Sequence, residues 1–338
     1  MISKSNRLGG NGMRAAMYQQ KEESRKVRCL LCPHHCSISP GNVGRCRVRV
    51  NVDGTLYAKN YGKVISYAYD PIEKKPLYHF YPGSTIFSIG TFGCNLACDF
   101  CQNAELVYYD EETDEISDEY IIELARRKNS IGIAYTYNES TIWYEYVLHI
   151  AKLADKAGLK NVLVTNGYIN QEPLRELLPY IDAMNIDLKS MEPNFYQEIC
   201  KGSLEPVLNT IALSSQSTHV EVTTLVIGGE NSDLSNIEAV AQKIASIDPA
   251  IPLHLSRYHP AYKMKLPPTP LDMLVQAVEI AKKHLAYVYM GNVLGVDQNT
   301  YCKSCGNPLI IRNHSIAVLG IKDKKCTVCK NEIQSLVL

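Results

Sequence analysis

The chain has 338 residues, 46% of them hydrophobic, enough for one large domain with small appendages. Its 35 lysines and arginines balance its 35 aspartates and glutamates, so bulk charge gives no support for nucleic-acid or anionic-membrane binding. No apolar run nears the roughly 18 residues of a membrane span, and residues 1–26 lack a secretory apolar core, so a cytoplasmic protein is expected.

Residues 1–26 read as loosely ordered, with a helix-like stretch from Met13 to Lys26. A four-cysteine module is expected over 27–83, carrying Cys29, Cys32, Cys36 and Cys46. Within it, Val50 to Tyr69 reads as short strands around an Asp53-Gly54 hairpin turn. From 84 to 295, β-branched and apolar runs alternate with helical stretches. The runs are Thr85–Thr91, Ile131–Tyr137, Asn161–Thr165, Ala183–Leu188, Val220–Ile227, Leu253–Tyr258 and Tyr287–Met290. The helices are Ser140–Ala157, closed by Gly158, then Ser232–Ser246 and Thr269–His284. Such alternation means parallel strands with crossover helices, either a partial or full β/α barrel or a doubly wound sheet. Residues 296–338 change character and carry two CxxC pairs. The acidic stretch Asp110 to Glu119 reads as a solvated connection.

Eleven of the twelve cysteines fall into three tight groups, which in a reducing compartment points to metal rather than disulfides. The central group, Cys94, Cys98 and Cys101, has the spacing C-x3-C-x2-C on a glycine-bearing loop after the first strand. Three thiolates can each take one iron of a 4Fe–4S cubane, leaving the fourth iron open to substrate, as a catalytic metal needs. A scaffold whose cysteines served structure alone would need a fourth ligand here. Cys302, Cys305, Cys326 and Cys329 have the spacing of a zinc ribbon. Cys29, Cys32, Cys36 and Cys46 suit either zinc or an auxiliary 4Fe–4S cluster. His34 and His35 are possible substitute ligands but read more simply as exposed loop residues, and Cys200 reads as packed or idle.

C-x3-C-x-Φ-C, with Phe100 before the last cysteine, resembles the signature of the radical S-adenosylmethionine (SAM) superfamily. The resemblance implies SAM bound at the open iron. One electron from the cluster then cleaves it to methionine and a 5′-deoxyadenosyl radical that abstracts a hydrogen atom. Other strand ends fit. Asn138 and Glu139 stand where the superfamily holds the SAM amino group. Thr165 and Asn166, Asp187 and Lys189, and His259 resemble SAM-contacting positions of glycyl-radical-enzyme activases.

The ordered series CLLCPHHC, DPIEKKPLYHFYPG, SIGTFGCNLACDFCQN, AYTYNEST, VTNGYI, MNIDLKS, HLSRYHPAYKM and YVYMGNV, ending in the ribbon, resembles one subfamily. This is the AmmeMemoRadiSam system radical SAM enzyme family, related to pyruvate formate-lyase activating enzyme. The fold it implies is α/β: a partial (β/α)6-type radical SAM TIM barrel with an N-terminal cysteine-bound module and a C-terminal zinc ribbon. Its implied partners are Memo-like and AMMECR-like proteins and an electron donor such as flavodoxin or ferredoxin. The alternative is a glycyl-radical-enzyme activase of the pyruvate formate-lyase activating type.

Overall fold

The computed structural model describes residues 13–109, 113, 115–313 and 315–338. Residues 1–12, part of the stretch expected to be loosely ordered, and Asp110, Glu111, Glu112 and Asp114 of the acidic stretch lie outside them. Two small antiparallel sheets come first. One has the order β1-β6-β5, and the other β2-β3-β4. Their strands are β1 (Arg14–Ala15), β2 (Gln19–Lys21), β3 (Val27–Cys29), β4 (Ser37–Ile38), β5 (Arg49–Val52) and β6 (Thr55–Ala58). The expected helix over Met13–Lys26 is therefore corrected to strand pairing. Alanine, glutamine and lysine favour helix locally, but β1 and β2 satisfy their backbone against β6 and β3 instead. The Asp53-Gly54 turn forms as expected, both residues having positive φ (51° and 88°), the geometry a tight hairpin requires.

The central sheet has eight strands in the order β14-β13-β12-β11-β10-β9-β8-β7. In chain order they are β7 (Ser66–Pro71), β8 (Thr85–Gly90), β9 (Ser130–Tyr135), β10 (Lys160–Thr165), β11 (Ala183–Asp187), β12 (His219–Val226), β13 (Leu253–Arg257) and β14 (Val288–Gly291). All neighbours pair in parallel except β7, which is antiparallel to β8. The parallel strands are apolar and buried on both faces, as strands covered by crossover helices must be. Their order follows the chain without reversal, unlike a doubly wound sheet. There are seven parallel strands, one more than a six-strand reading, and β7 moves the start of the central unit from 84 back to Ser66.

The principal helices are α1 (Ala104–Val107), α2 (Asp118–Ala125), α3 (Tyr144–Lys156), α4 (Gln171–Leu177), α5 (Glu205–Ser214), α6 (Leu234–Ile247) and α7 (Leu271–Ala281). Each of α3 to α7 carries the chain back between strands. The buried stripe of α3, with Tyr146, Val147, Ile150 and Ala154, packs in the main core with Leu163 and Ile133. Gly158 ends this helix region with φ of 72°, as expected. Among the described residues, no helix is long and apolar enough to cross a membrane.

The tail forms a three-stranded sheet of β15 (Thr300–Tyr301), β16 (Pro308–Arg312) and β17 (Ile316–Val318), then the pair β18 (Ile321–Lys322) and β19 (Lys325–Cys326). It is not detached. Val337 exchanges backbone hydrogen bonds with His79 and Tyr81, in the loop between β7 and β8. Arg312 sends Nη1 to Thr300 Oγ1 (2.8 Å) and Nη2 to the Tyr78 carbonyl (2.5 Å), and stacks over the Tyr78 ring.

Candidate functional site

The carboxyl ends of the central strands surround a cavity of about 410 Å³. Sites form at this end of parallel α/β architectures, and the volume lies in the about 300–1,000 Å³ range of small-molecule pockets. Cys94, Cys98 and Cys101 line it on the loop after β8. That loop is held tightly. Gly93 has φ of 87°, and a Cβ there would lie 2.6 Å from the Cys46 carbonyl oxygen, so only glycine fits. Asn138 Oδ1 accepts from the Thr91 N–H (3.2 Å) and its Nδ2 donates to the Gly93 carbonyl (2.9 Å). Both ends of the Asn138 amide are thus used to brace the cysteine loop.

Glu139 is 2% exposed. Its Oε1 accepts from Thr141 N (2.9 Å), Thr141 Oγ1 (2.7 Å) and Thr165 Oγ1 (2.7 Å), while Oε2 accepts from Asn166 N (2.7 Å). The carboxylate therefore caps the turn at Ser140 and joins the ends of β9 and β10. Burial pushes its pKa up against these donors. Asn166 Nδ2 donates to Asn95 Oδ1 (2.9 Å) and lies 3.7 Å from Cys94 Sγ. Asn166 is thereby tied to the cysteine loop itself, and Thr165 to Glu139.

Lys189 Nζ meets Asp187 Oδ2 at 2.7 Å, and lies 5.7 Å from the Phe100 ring centroid. Burial alone would lower the lysine; the Asp187 carboxylate outweighs it and holds the ammonium well above the ordinary lysine range. Asp187, more open than its partner, carries its charge to the cavity. The thiols differ: burial pushes Cys94 well up, whereas the neighbouring Cys200 thiol, by hydrogen bonding, holds Cys98 below the ordinary thiol range. Cys200 is fully buried beside Cys98, which fits the packed reading.

Every proposed cavity residue except one converges here: Cys94, Cys98, Phe100, Cys101, Asn138, Glu139, Thr165, Asn166, Asp187 and Lys189. His259 is the exception. It is exposed and lines a neighbouring open cavity with Tyr78, Gln102 and Asn292. The chain turns outward after β13, because Tyr258 is buried with its hydroxyl on the Met264 carbonyl (3.0 Å). Sequence reasoning missed Asp70, Lys74, Lys75 and Tyr137, which also line the main cavity. Lys75 Nζ and Tyr137 Oη converge on Asp70 Oδ2 at 2.8 and 2.7 Å. Burial would raise the Asp70 carboxyl, but these donors hold it far below its usual range. The DPIEKK motif was the available signal.

In the tail, the sulfurs of Cys302, Cys305, Cys326 and Cys329 all lie within 4.8 Å of one another, compatible with a zinc ribbon. Backbone N–H groups of Cys329 and Val328 help pull the Cys326 thiol down to about 6.

Residues 88–244 match the family model of the radical SAM superfamily. An uncharacterized protein of Methanocaldococcus jannaschii, MJ0808, is 43% identical over 332 residues, covering 95% of this chain and 99% of that one. A putative glycyl-radical enzyme activating enzyme of the same organism is 27% identical over 206 residues, covering 59% of this chain and 77% of that protein. The crystal structure of Streptococcus suis SuiB bound to S-adenosylmethionine aligns with a TM-score of 0.50 at 11% identity, over 65% of this chain and 55% of that one, a likeness of fold alone. The family model spans the ends of β8 to β12, which supply most of the cavity lining, and the similarity to the first relative extends over the modules on either side. On those grounds the chain belongs to the radical SAM superfamily and is an enzyme of that kind.

Proposed function

We propose that this enzyme reductively cleaves SAM at a 4Fe–4S cluster held by Cys94, Cys98 and Cys101, and abstracts a hydrogen atom from a substrate outside the cofactor. The observation that carries the reading is the convergence of three thiols and the ends of β9, β10 and β11 on one cavity. The residues present fit both groups. The cavity's thiols number three, so a cubane there keeps one iron free, and polar side chains stand opposite. When bound, the cluster supplies the electron and SAM supplies the radical precursor.

The protein's own part is placement. Asn138 and Asn166 fix the cysteine loop, one at Gly93 and the other at Asn95. Glu139 locks the ends of β9 and β10, leaving its remaining acceptor capacity on Oε2 for a substrate ammonium. Asp187 and Lys189 offer one charge of each sign for a zwitterionic ligand. Thr165 acts through Glu139, and Phe100 excludes water beside Lys189.

The motif series across the chain supports the finer assignment to the AmmeMemoRadiSam family, working in the cytoplasm with Memo-like and AMMECR-like proteins and a flavodoxin- or ferredoxin-type reductant. It also supports a partial β/α barrel and zinc in the ribbon. Similarity to the glycyl-radical enzyme activating protein of M. jannaschii favours a second reading, activation of a glycyl radical enzyme.

The test uses anaerobically reconstituted protein, dithionite and SAM. The expected outcome is 5′-deoxyadenosine from the intact chain and none from Cys98→Ala, which stays folded. An unchanged yield from Cys98→Ala would overturn the site. A glycyl-radical signal raised in an added glycyl radical enzyme would favour the second reading.

A further inference from the structure

We propose that Cys29, Cys32, Cys36 and Cys46 hold a second 4Fe–4S cluster, closed by four protein thiolates, and not zinc. All four cysteines line one small cavity together with Arg49 and the apolar side chains of Leu31, Ile38 and Ile142. Cys29 and Cys46 are buried and Cys32 and Cys36 half-buried, so a group in this cavity is shielded on most sides.

Spacing separates the two metals. Zinc–sulfur bonds of about 2.3 Å put tetrahedral thiolates about 3.8 Å apart. The ribbon matches: Cys302 and Cys329 sulfurs are 3.5 Å apart, and those of Cys305 and Cys326 are 3.7 Å apart. Among the described residues, the ribbon set is the only group of histidine, cysteine or carboxylate donors with all atoms within 4.8 Å of one another. The four N-terminal sulfurs are more widely set, although they face one cavity. A cubane requires this, since each thiolate takes a separate iron at a separate corner. Cys94, Cys98 and Cys101 share the wider setting, and theirs is the loop on which the family carries its cluster.

Arg49 is an independent sign. It is 2% exposed and lines the cavity. Nη1 is paired with Glu145 (2.7 Å) and Nη2 reaches the Ile142 carbonyl (3.3 Å), but Nε has no acceptor. A buried N–H donor beside four cysteines is suited to the sulfurs of an anionic cluster. The histidines do not compete as ligands: His34 Nε2 is engaged with the Asn95 carbonyl at 2.7 Å, and His35 is exposed.

The two centres share a wall. His34 touches the residue after Cys94, and the Cys46 carbonyl packs against Gly93, the residue before it. The N-terminal centre thus braces the cysteine loop of the SAM site.

The test separates this proposal from the SAM assignment. The full-length Cys94→Ala/Cys98→Ala/Cys101→Ala variant lacks every ligand of the SAM site. Reconstituted anaerobically with iron and sulfide, it is expected to keep about four irons per chain, against about eight in the unaltered protein. Dithionite should give it a paramagnetic cluster signal that SAM does not shift. Adding Cys29→Ala and Cys36→Ala, which leaves only two thiolates at the N-terminal site, should abolish the iron and the signal. A folded triple variant holding a second zinc, or no metal beyond the ribbon's, would overturn the proposal. If that variant fails to fold, the unaltered protein decides: two reduced-cluster signals, one shifted by SAM and one not, are expected, and about four irons with one SAM-sensitive signal would overturn it.

Discussion

The two ends of the central strands carry polar side chains two residues apart, with opposite outcomes. Residues i and i+2 of a strand share a face. On β11, Asn185 lies toward the floor and Asp187 at the mouth. The pair is Glu221 and Thr223 on β12, and His254 and Ser256 on β13. At the floor the Glu221 carboxylate is fully matched. Glu221 is fully buried, accepts from the backbone N–H groups of Tyr78 (3.0 Å) and His79 (2.7 Å), and meets His254 (2.6 Å) and His219 (3.0 Å). His79 in turn reaches Tyr289 Oη (2.7 Å). At the mouth, Asp187, Lys189 and the cysteine thiols face the cavity. Buried charge that is fully hydrogen-bonded organises a fold, whereas charge left facing a cavity is available to a ligand.

The sharpest way to break this contrast is at the floor. Glu221→Ala is expected to cost about 3–5 kcal/mol of stability, the usual effect of removing one partner from a buried charge network. Denaturant titration measures it; a cost below about 1 kcal/mol would mean the network is not structural. At the mouth, Asp187→Asn should lower deoxyadenosine yield about 10- to 100-fold, the range of a lost charge-assisted hydrogen bond, with little change in unfolding midpoint. Destabilisation without loss of cleavage would reverse the assignment of the two ends.

Acid should reach the floor next. Burial lowers His79 to about 3, so the unfolded chain takes up its proton first. Burial would raise Glu221, but hydrogen bonds from His219 and His254 win and hold it well below the usual carboxylate range. Both folded-state pKa values are depressed, so both contributions are present at neutral pH and lost as pH falls. Stability should decline below about pH 6.5 through His79, by about 1.4 kcal/mol per proton per pH unit, with Glu221 adding below about 4.5. Denaturant curves at stepped pH check this, and His79→Gln should flatten the upper part of the decline. The smallest expected effect is that of Cys305→Ala, which should remove ribbon zinc while leaving SAM cleavage unchanged. Lost cleavage in a folded variant would join the ribbon to the mouth.

What was legible in the sequence was local. The seven parallel strands are short apolar runs between turn signals, and the cysteine groups announce themselves by spacing. Asp187 and Lys189 were readable because alternation puts both on the inner face of one strand end. Asp70 and Lys75 were not, because they reach the cavity from the end of β7 and the turn after it, and β7 joins the sheet antiparallel before the repeating pattern begins. The contact of Cys200 with Cys98 arises from packing between residues a hundred positions apart. Met13–Lys26 has helix-favouring composition, and only pairing with distant β6 and with β3 makes it strand. His259 sits beside a strand end in sequence, but the burial of Tyr258 turns it away.

Arg312 and Val337 impose an order of assembly. Arg312 packs over Tyr78 at the floor, and Val337 pairs with the backbone of His79 and Tyr81. The segment that finishes the floor therefore leaves the ribosome after every strand it closes over. Until it does, the nascent sheet holds its aromatic and histidine cluster uncapped, at the end away from the cysteine loops. The ribbon is in this sense a closing stitch, and a chain whose ribbon fails to fold should keep its base open to proteases.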